Sequence, residues 1–183
     1  MDRRAARQAI ADFLKALGYD SAGDPELAQT PARVADAFID ELLAGQHVDI
    51  PALLDAGLSS ASRMSGLVAV HNLSVSSICP HHLLPATGVA TVVYKPGKQV
   101  LGLGALASLV DACSRRLTLQ EEIGEQVVDA LVQHAGASGA YCEITLSHGC
   151  VVARGSKQAQ ARIRTSARAG DLDLQELALA IKT

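Results

Sequence analysis

Apolar residues recur at helical spacing in the first part of the chain. The pattern predicts one helix that ends at Gly18 and a second that Thr30 caps and that ends before Gly45. Pro31 suits the first turn of the second helix, because its missing N–H has no partner there in any helix. We interpret residues 1–64 as an N-terminal helical arm.

The period changes to strand-like alternation from Ser65 onward. The pattern predicts two strands up to residue 95, helices over 105–116 and 119–135, strands over 140–146 and 158–169, and a short helix from Asp173. The order ββααββ predicts an α+β domain over 65–183, in which an antiparallel sheet carries helices on one face.

Composition narrows the possible partners. Hydrophobic residues make up 49% of the 183 residues but aromatic residues only 3%, so a platform that stacks bases on aromatic rings is not expected. The net charge of -3 argues against nucleic acid. No apolar run reaches the roughly 20 residues of a membrane span, and the N-terminus lacks a signal-peptide pattern. We therefore expect a cytoplasmic protein whose four cysteines are reduced.

Two clusters of cysteine and histidine lie where predicted strands meet loops. Cys79 and His82 are three residues apart, so both can turn back onto one ion, and Cys150 can complete a three-ligand site. Thiolate and imidazole favour zinc, and three protein ligands leave a position for water. His81 and His148 are the candidate acid and base groups beside it. On this evidence alone, buried structural cysteines and solvated histidines are an equally good interpretation.

Several ordered motifs resemble the GTP cyclohydrolase I family. The matching segments are QTPARVADAFIDELLAG (29–45), CPHHLLP (79–85), LGLG (101–104), RRLTLQEE (115–122) and HGCVVARG (148–155). The resemblance covers nearly the whole chain and favours the zinc hypothesis.

The resemblance implies a fold, an assembly and a reaction. The fold would be the tunnelling fold, whose ββααββ subunits form a toroidal homo-oligomer of two stacked rings, usually a decamer. The reaction would be the zinc-dependent opening of the guanine imidazole ring of GTP at C8, with loss of formate and closure to dihydroneopterin triphosphate.

The resemblance also implies roles for individual residues. Cys79, His82 and Cys150 match the zinc ligands, and His81 and His148 match the proton-transfer histidines. The expected substrate-binding residues are Gln120, Glu121, Arg154 and Arg33. A carboxylate such as that of Glu121 can accept from both N1–H and N2–H of a guanine edge.

The chain departs from the family where the triphosphate is expected. Gly104, Ala105 and Ser108 stand where the family has a serine, a lysine and an arginine, and Asp36 stands where a lysine is usual. Pro80 replaces the acidic residue that commonly follows the first zinc ligand. An alternative substrate is therefore a purine base, nucleoside or monophosphate. A non-catalytic purine-binding homologue is a third interpretation, which the retained zinc and histidine positions disfavour.

Overall fold

The computed structural model describes residues 1–60 and 66–182. The chain divides into two units, Met1–Ala44 and Gly45–Thr183. The boundary that the sequence predicts, between residues 64 and 65, lies outside the described residues.

The first unit contains the two predicted helices. Helix α1 (Arg3–Ala16) begins after Asp2, whose carboxylate accepts from the backbone N–H of Ala5 at 2.9 Å. Helix α2 (Thr30–Ala37) continues into a π-helical turn, Phe38–Leu42. Gln29, rather than Thr30, occupies the cap position of α2, and it makes no side-chain capping bond. Thr30 instead forms the first turn together with Pro31, so the helix begins one residue earlier than the capping pattern predicts.

The acidic residue at position 36 has a structural partner in α1. The Asp36 carboxylate accepts from Arg3 at 2.5 Å and from Arg7 at 3.0 Å, and Arg3 also binds Asp40. These hydrogen bonds, first from Arg3 and then from Arg7, lower the pKa of Asp36. Asp36 therefore joins α1 to α2 as an ionised carboxylate.

The second unit contains the remaining elements. They are α3 (Ile50–Gly57), β1 (Leu58–Ser60), β2 (Val68–Ile78), β3 (Pro85–Lys95), β4 (Gln99–Leu101), α4 (Leu103–Ser114), α5 (Gln120–Gln133), β5 (Gly139–His148), α6 (Gly149–Val152), β6 (Ile163–Gly170) and α7 (Leu174–Ala180). A short 3-10 turn, Ala44–His47, precedes α3.

An antiparallel sheet in the order β2-β3-β5-β6 forms the centre of this unit. Helix α4 contacts β2, and α5 contacts β5 and β6, so both helices cover one face of the sheet. This confirms the predicted ββααββ order and the α+β class. The pattern did not predict α3, the small β1–β4 sheet or α6, and β6 begins at Ile163 rather than at residue 158.

The core is aliphatic, as the composition predicts. Leu106 and Leu109 of α4 and Ile123 and Leu131 of α5 are fully buried against alternate residues of the sheet. Tyr94 is the largest fully buried side chain, and its hydroxyl accepts from the backbone N–H of Leu101 at 3.0 Å. That bond satisfies a polar group which would otherwise be costly to bury.

Cys113 and Cys142 belong to this core, in α4 and β5, and both are completely buried. Burial raises the pKa of Cys113 to about 11 and that of Cys142 to about 12. The structure supports the structural role that their apolar surroundings indicate.

We predict that iodoacetamide at pH 8 leaves Cys113 and Cys142 unmodified in the native protein. About one thiol in a thousand, or fewer, is ionised there, and the reagent cannot reach the buried sulfur. Mass spectrometry of native and urea-denatured samples measures this, because the denatured sample shows that both thiols react once they are exposed. Rapid native modification of either core cysteine would contradict the packing described above.

Candidate active site

A tight turn between β2 and β3 carries the first cysteine and histidine cluster. Pairing of the two strands extends to Ile78 and Pro85, so residues 79–84 must reverse the chain. The N–H of Cys79 donates to Leu84 at 3.0 Å, and the N–H of Leu83 donates to the carbonyl of Cys79 at 2.9 Å. Leu83 adopts a left-handed conformation, with φ of 53°, which closes the turn. The turn brings His82 back toward Cys79.

The end of β5 brings the second cluster to the same place. His148, the last residue of β5, pairs with Ala86 near the start of β3. Helix α6 begins immediately afterwards and carries Cys150. A side chain at Gly149 would place its Cβ 3.0 Å from the carbonyl oxygen of Pro85, so glycine permits this close approach.

The three predicted metal ligands converge. The ligand atoms of Cys79, His82 and Cys150 all lie within 4.8 Å of one another. Tetrahedral zinc with Zn–S of about 2.3 Å and Zn–N of about 2.0 Å needs ligand separations of roughly 3.5–3.8 Å, so small side-chain movements complete the site. Two sulfur ligands and one nitrogen ligand suit zinc and leave one coordination position for water.

The Cys150 thiol has a raised pKa. Burial raises the pKa of Cys150, and the neighbouring Cys79 thiol raises it further. Two thiolates this close repel each other, and a divalent cation between them would favour their deprotonated forms. The donor set therefore fits a zinc ion.

A cavity of about 240 Å³ opens beside the sulfur ligands. Its polar wall includes Cys79, His81, Gln120, Glu121, His148 and Cys150. The His81 ring lies beside the candidate metal ligands, with its Nδ1 3.7 Å from Sγ of Cys79. Two of the three candidate metal ligands and both predicted proton-transfer histidines therefore line one cavity.

The His148 side chain contacts the first residue of helix α5. Its Nε2 lies 2.8 Å from Oε1 of Gln120, the first residue of α5. Burial lowers the pKa of His148, and the charge of Glu121 opposes that shift. A neutral imidazole in this position can accept a proton.

The two glutamates at the start of α5 have different surroundings. Glu122 accepts from the hydroxyl of Thr118 at 2.6 Å and from the N–H of Leu119 at 3.1 Å, and these bonds lower its pKa. Glu122 thus caps the helix, whereas Glu121 lines the cavity and is exposed. A carboxylate at a helix N-terminus is also favoured by the helix dipole.

The other predicted substrate residues differ in their exposure. Arg154 follows α6 and is exposed, and Arg33 is an exposed residue of α2 in the first unit. Gln120 is 5% exposed, and its amide makes hydrogen bonds to Ile144, Ile163 and His148.

The sequence motifs did not indicate the apolar wall of the cavity. It includes Ile123, Leu146, Val151 and Ile163, which come from α5, β5, α6 and β6. In the sequence, these residues fit the apolar pattern of their own helix or strand and cannot be distinguished from core residues. Only the convergence of four elements shows that they line a site.

An α+β domain that places two thiols and an imidazole beside two further histidines has the residue types that metal-assisted hydrolases use. Within the described residues no helix is long and apolar enough to cross a membrane.

Comparisons with known proteins specify the class. The family model for GTP cyclohydrolase I matches residues 6–179. The GTP cyclohydrolase 1 of Leifsonia xyli subsp. xyli is 39% identical over 93% of this chain and 88% of its own length. That of Bifidobacterium longum is 40% identical over 92% and 83%. The chain belongs to the GTP cyclohydrolase I family, which confirms the resemblance, the fold class and the hydrolase class expected from the sequence.

A more distant relative and one solved structure complete the comparison. The GTP cyclohydrolase 1 of Thermoanaerobacter pseudethanolicus is 34% identical over 93% of this chain and 89% of its own. The apo archaeosine synthase QueF-Like aligns with 61% of this chain and 100% of its own at a TM-score of 0.45 and 17% identity. That structural similarity is too low to support a conclusion about function.

Proposed function

We propose that the protein is a zinc-dependent cyclohydrolase that opens the imidazole ring of a guanine nucleotide at C8 and releases formate. The observation that carries the proposal is the convergence of Cys79, His82 and Cys150 beside a cavity lined by His81, His148 and Glu121. Zinc bound there would act as a Lewis acid and lower the pKa of water to about 7.

The histidines supply the proton transfers that hydrolysis requires. At each C–N bond that breaks, one proton leaves the attacking water and one must reach the departing nitrogen. His81 and His148 face the same cavity, so one can accept a proton while the other donates one. Two such groups beside the metal ligands distinguish this site from a structural zinc site.

Glu121 is the residue that we propose holds the base. Its carboxylate is at the cavity wall and offers two acceptors to the N1–H and N2–H donors of guanine. The apolar wall formed by Ile123, Leu146 and Ile163 would cover the purine face without aromatic stacking. We propose that Arg154 and Arg33 contribute cations toward phosphate.

A substrate without the triphosphate is the second candidate. Gly104 and Ser108 are exposed on α4 and carry no charge. Asp36 forms ion pairs with Arg3 and Arg7. A charged hydrogen bond contributes about 1.5 to 3 kcal/mol. Losing two of them reduces affinity for a triphosphate by about 10³-fold, at tenfold per 1.4 kcal/mol.

A side-by-side assay of GTP, GMP, guanosine and guanine tests both candidates. We expect zinc-loaded protein to release formate from at least one of the four, and the ratio of kcat/KM between GTP and GMP shows whether the triphosphate contributes. The Cys150→Ala protein is the matched control for contaminating activity. Formate release from none of the four would overturn the proposed function, and a micromolar KM for GTP would exclude the second candidate.

We also propose that the chain assembles into the stacked rings of its family, with a decamer as the expected form. Strands β2 and β6 are the outer strands of the sheet, and strand edges of this length pair readily with another chain. Thiol ligands favour a reducing compartment, so we propose that the enzyme works in the cytoplasm.

A further inference from the structure

The side chain of Gln120 is buried and connects three parts of the domain. Its Nε2 donates to the carbonyl of Ile144 in β5 at 3.0 Å and to the carbonyl of Ile163 in β6 at 3.0 Å. Its Oε1 lies 2.8 Å from Nε2 of His148. A primary amide has two N–H hydrogens, so the two carbonyls use both of them.

These contacts fix the orientation of the amide. The reversed orientation would place Oε1 against two carbonyl oxygens, and none of those three atoms can donate. It would also leave two backbone acceptors without this donor inside the protein, which is unfavourable. The hydrogen-bond network therefore assigns the oxygen to the side that faces His148.

The orientation of the amide determines where His148 carries its hydrogen. Oε1 of an amide only accepts, so the 2.8 Å contact requires a hydrogen on Nε2 of His148. A neutral imidazole carries a single N–H hydrogen, which leaves the lone pair on Nδ1.

We propose that Gln120 is a positioning residue that holds His148 in the Nε2–H tautomer and fixes its ring, so that the lone pair of the imidazole lies on Nδ1. The relevance of this tautomer to turnover rests on the proposed function of His148. The role differs from contact with the purine, because the amide has no hydrogen left to offer a base.

Measuring kcat and KM of Gln120→Leu distinguishes positioning of His148 from contact with the purine. Leucine has a similar volume but no hydrogen-bonding group, so we expect kcat to fall by about 10- to 100-fold, as for other groups that orient a reacting histidine. KM should stay within about threefold and the zinc content should not change. A residue that held the base would instead raise KM, and a large rise in KM with kcat preserved would overturn the proposal.

A second variant serves as a control. Gln126→Leu removes a glutamine amide from the same helix, and its partly buried side chain lies outside the cavity, so kcat should stay within about twofold. An equal fall in kcat for Gln126→Leu and Gln120→Leu would contradict the positioning role.

A spectroscopic measurement tests the tautomer independently of turnover. In protein labelled with ¹⁵N-histidine, long-range ¹H–¹⁵N correlations distinguish Nε2–H from Nδ1–H, and His148→Ala assigns the signal. We expect Nε2–H in the wild type and a changed His148 pattern in Gln120→Leu. A hydrogen on Nδ1 in the wild type would overturn the proposal. Because this reading needs neither substrate nor the variant, it still decides the proposal if no purine is turned over or if Gln120→Leu does not fold.

Discussion

Replacing Cys150 with alanine is expected to abolish zinc retention and formate release together. Cys150 supplies one of only two sulfur ligands, and it comes from a different part of the fold than Cys79 and His82. Without it, the β2–β3 turn presents two ligands, which do not hold zinc firmly in a catalytic site. We expect less than about a tenth of the wild-type zinc content and a loss of turnover of at least about 100-fold.

The measurement is zinc content by elemental analysis of purified protein, taken with the formate assay on the same preparation. Cys113→Ala is the matched control, because it removes a buried thiol that lies in the core and not at the cavity. That variant should retain zinc and activity, even if its unfolding midpoint falls. Full zinc occupancy in Cys150→Ala would refute the ligand assignment.

Replacing His148 with alanine is expected to separate zinc binding from catalysis. His148 lines the cavity but is not among the three converging ligands, so the zinc content should remain close to that of the wild type. Losing a general acid–base group costs about 10²- to 10⁴-fold in rate, and we expect kcat to fall by that amount.

His134→Ala controls for the loss of a histidine, because His134 is exposed at the end of α5 and does not line the cavity. Its kcat should stay within about twofold of the wild type. If His148→Ala and Cys150→Ala lost zinc equally, His148 would have to be counted among the ligands. Activity unchanged in His148→Ala would remove the histidine from the proposed chemistry altogether.

The order of the secondary structure was predictable because it depends on local periodicity. The alternation before residue 95 and the helical spacing around Ile123 and Leu131 each reflect burial on one face of one element. The boundaries were less predictable. Gln29 caps α2 in place of Thr30, and β6 begins at Ile163, because helix caps and strand pairing depend on neighbours that the local pattern does not contain.

The convergence of the candidate metal ligands was predictable for a different reason. Cys79 and His82 are close in sequence, and the second cluster of cysteine and histidine offers Cys150 as their distant partner. The structure adds the reason for their proximity, which is the register that pairs Ala86 with His148 across β3 and β5. That register depends on backbone hydrogen bonds between strands far apart in the chain, so it cannot be derived from the spacing alone.

The sequence by itself determined the aliphatic core, the ββααββ order and the residue types of the site, because these follow from composition, periodicity and motif. Only the tertiary structure decided how the polar side chains are used. It paired Asp36 with Arg3 and Arg7, assigned Glu122 to the helix cap and Glu121 to the cavity, and directed Gln120 toward two carbonyls and His148. The physical reason is that a polar side chain has only a few hydrogen-bonding groups, and the partners for them come from elements distant in sequence that folding alone brings together.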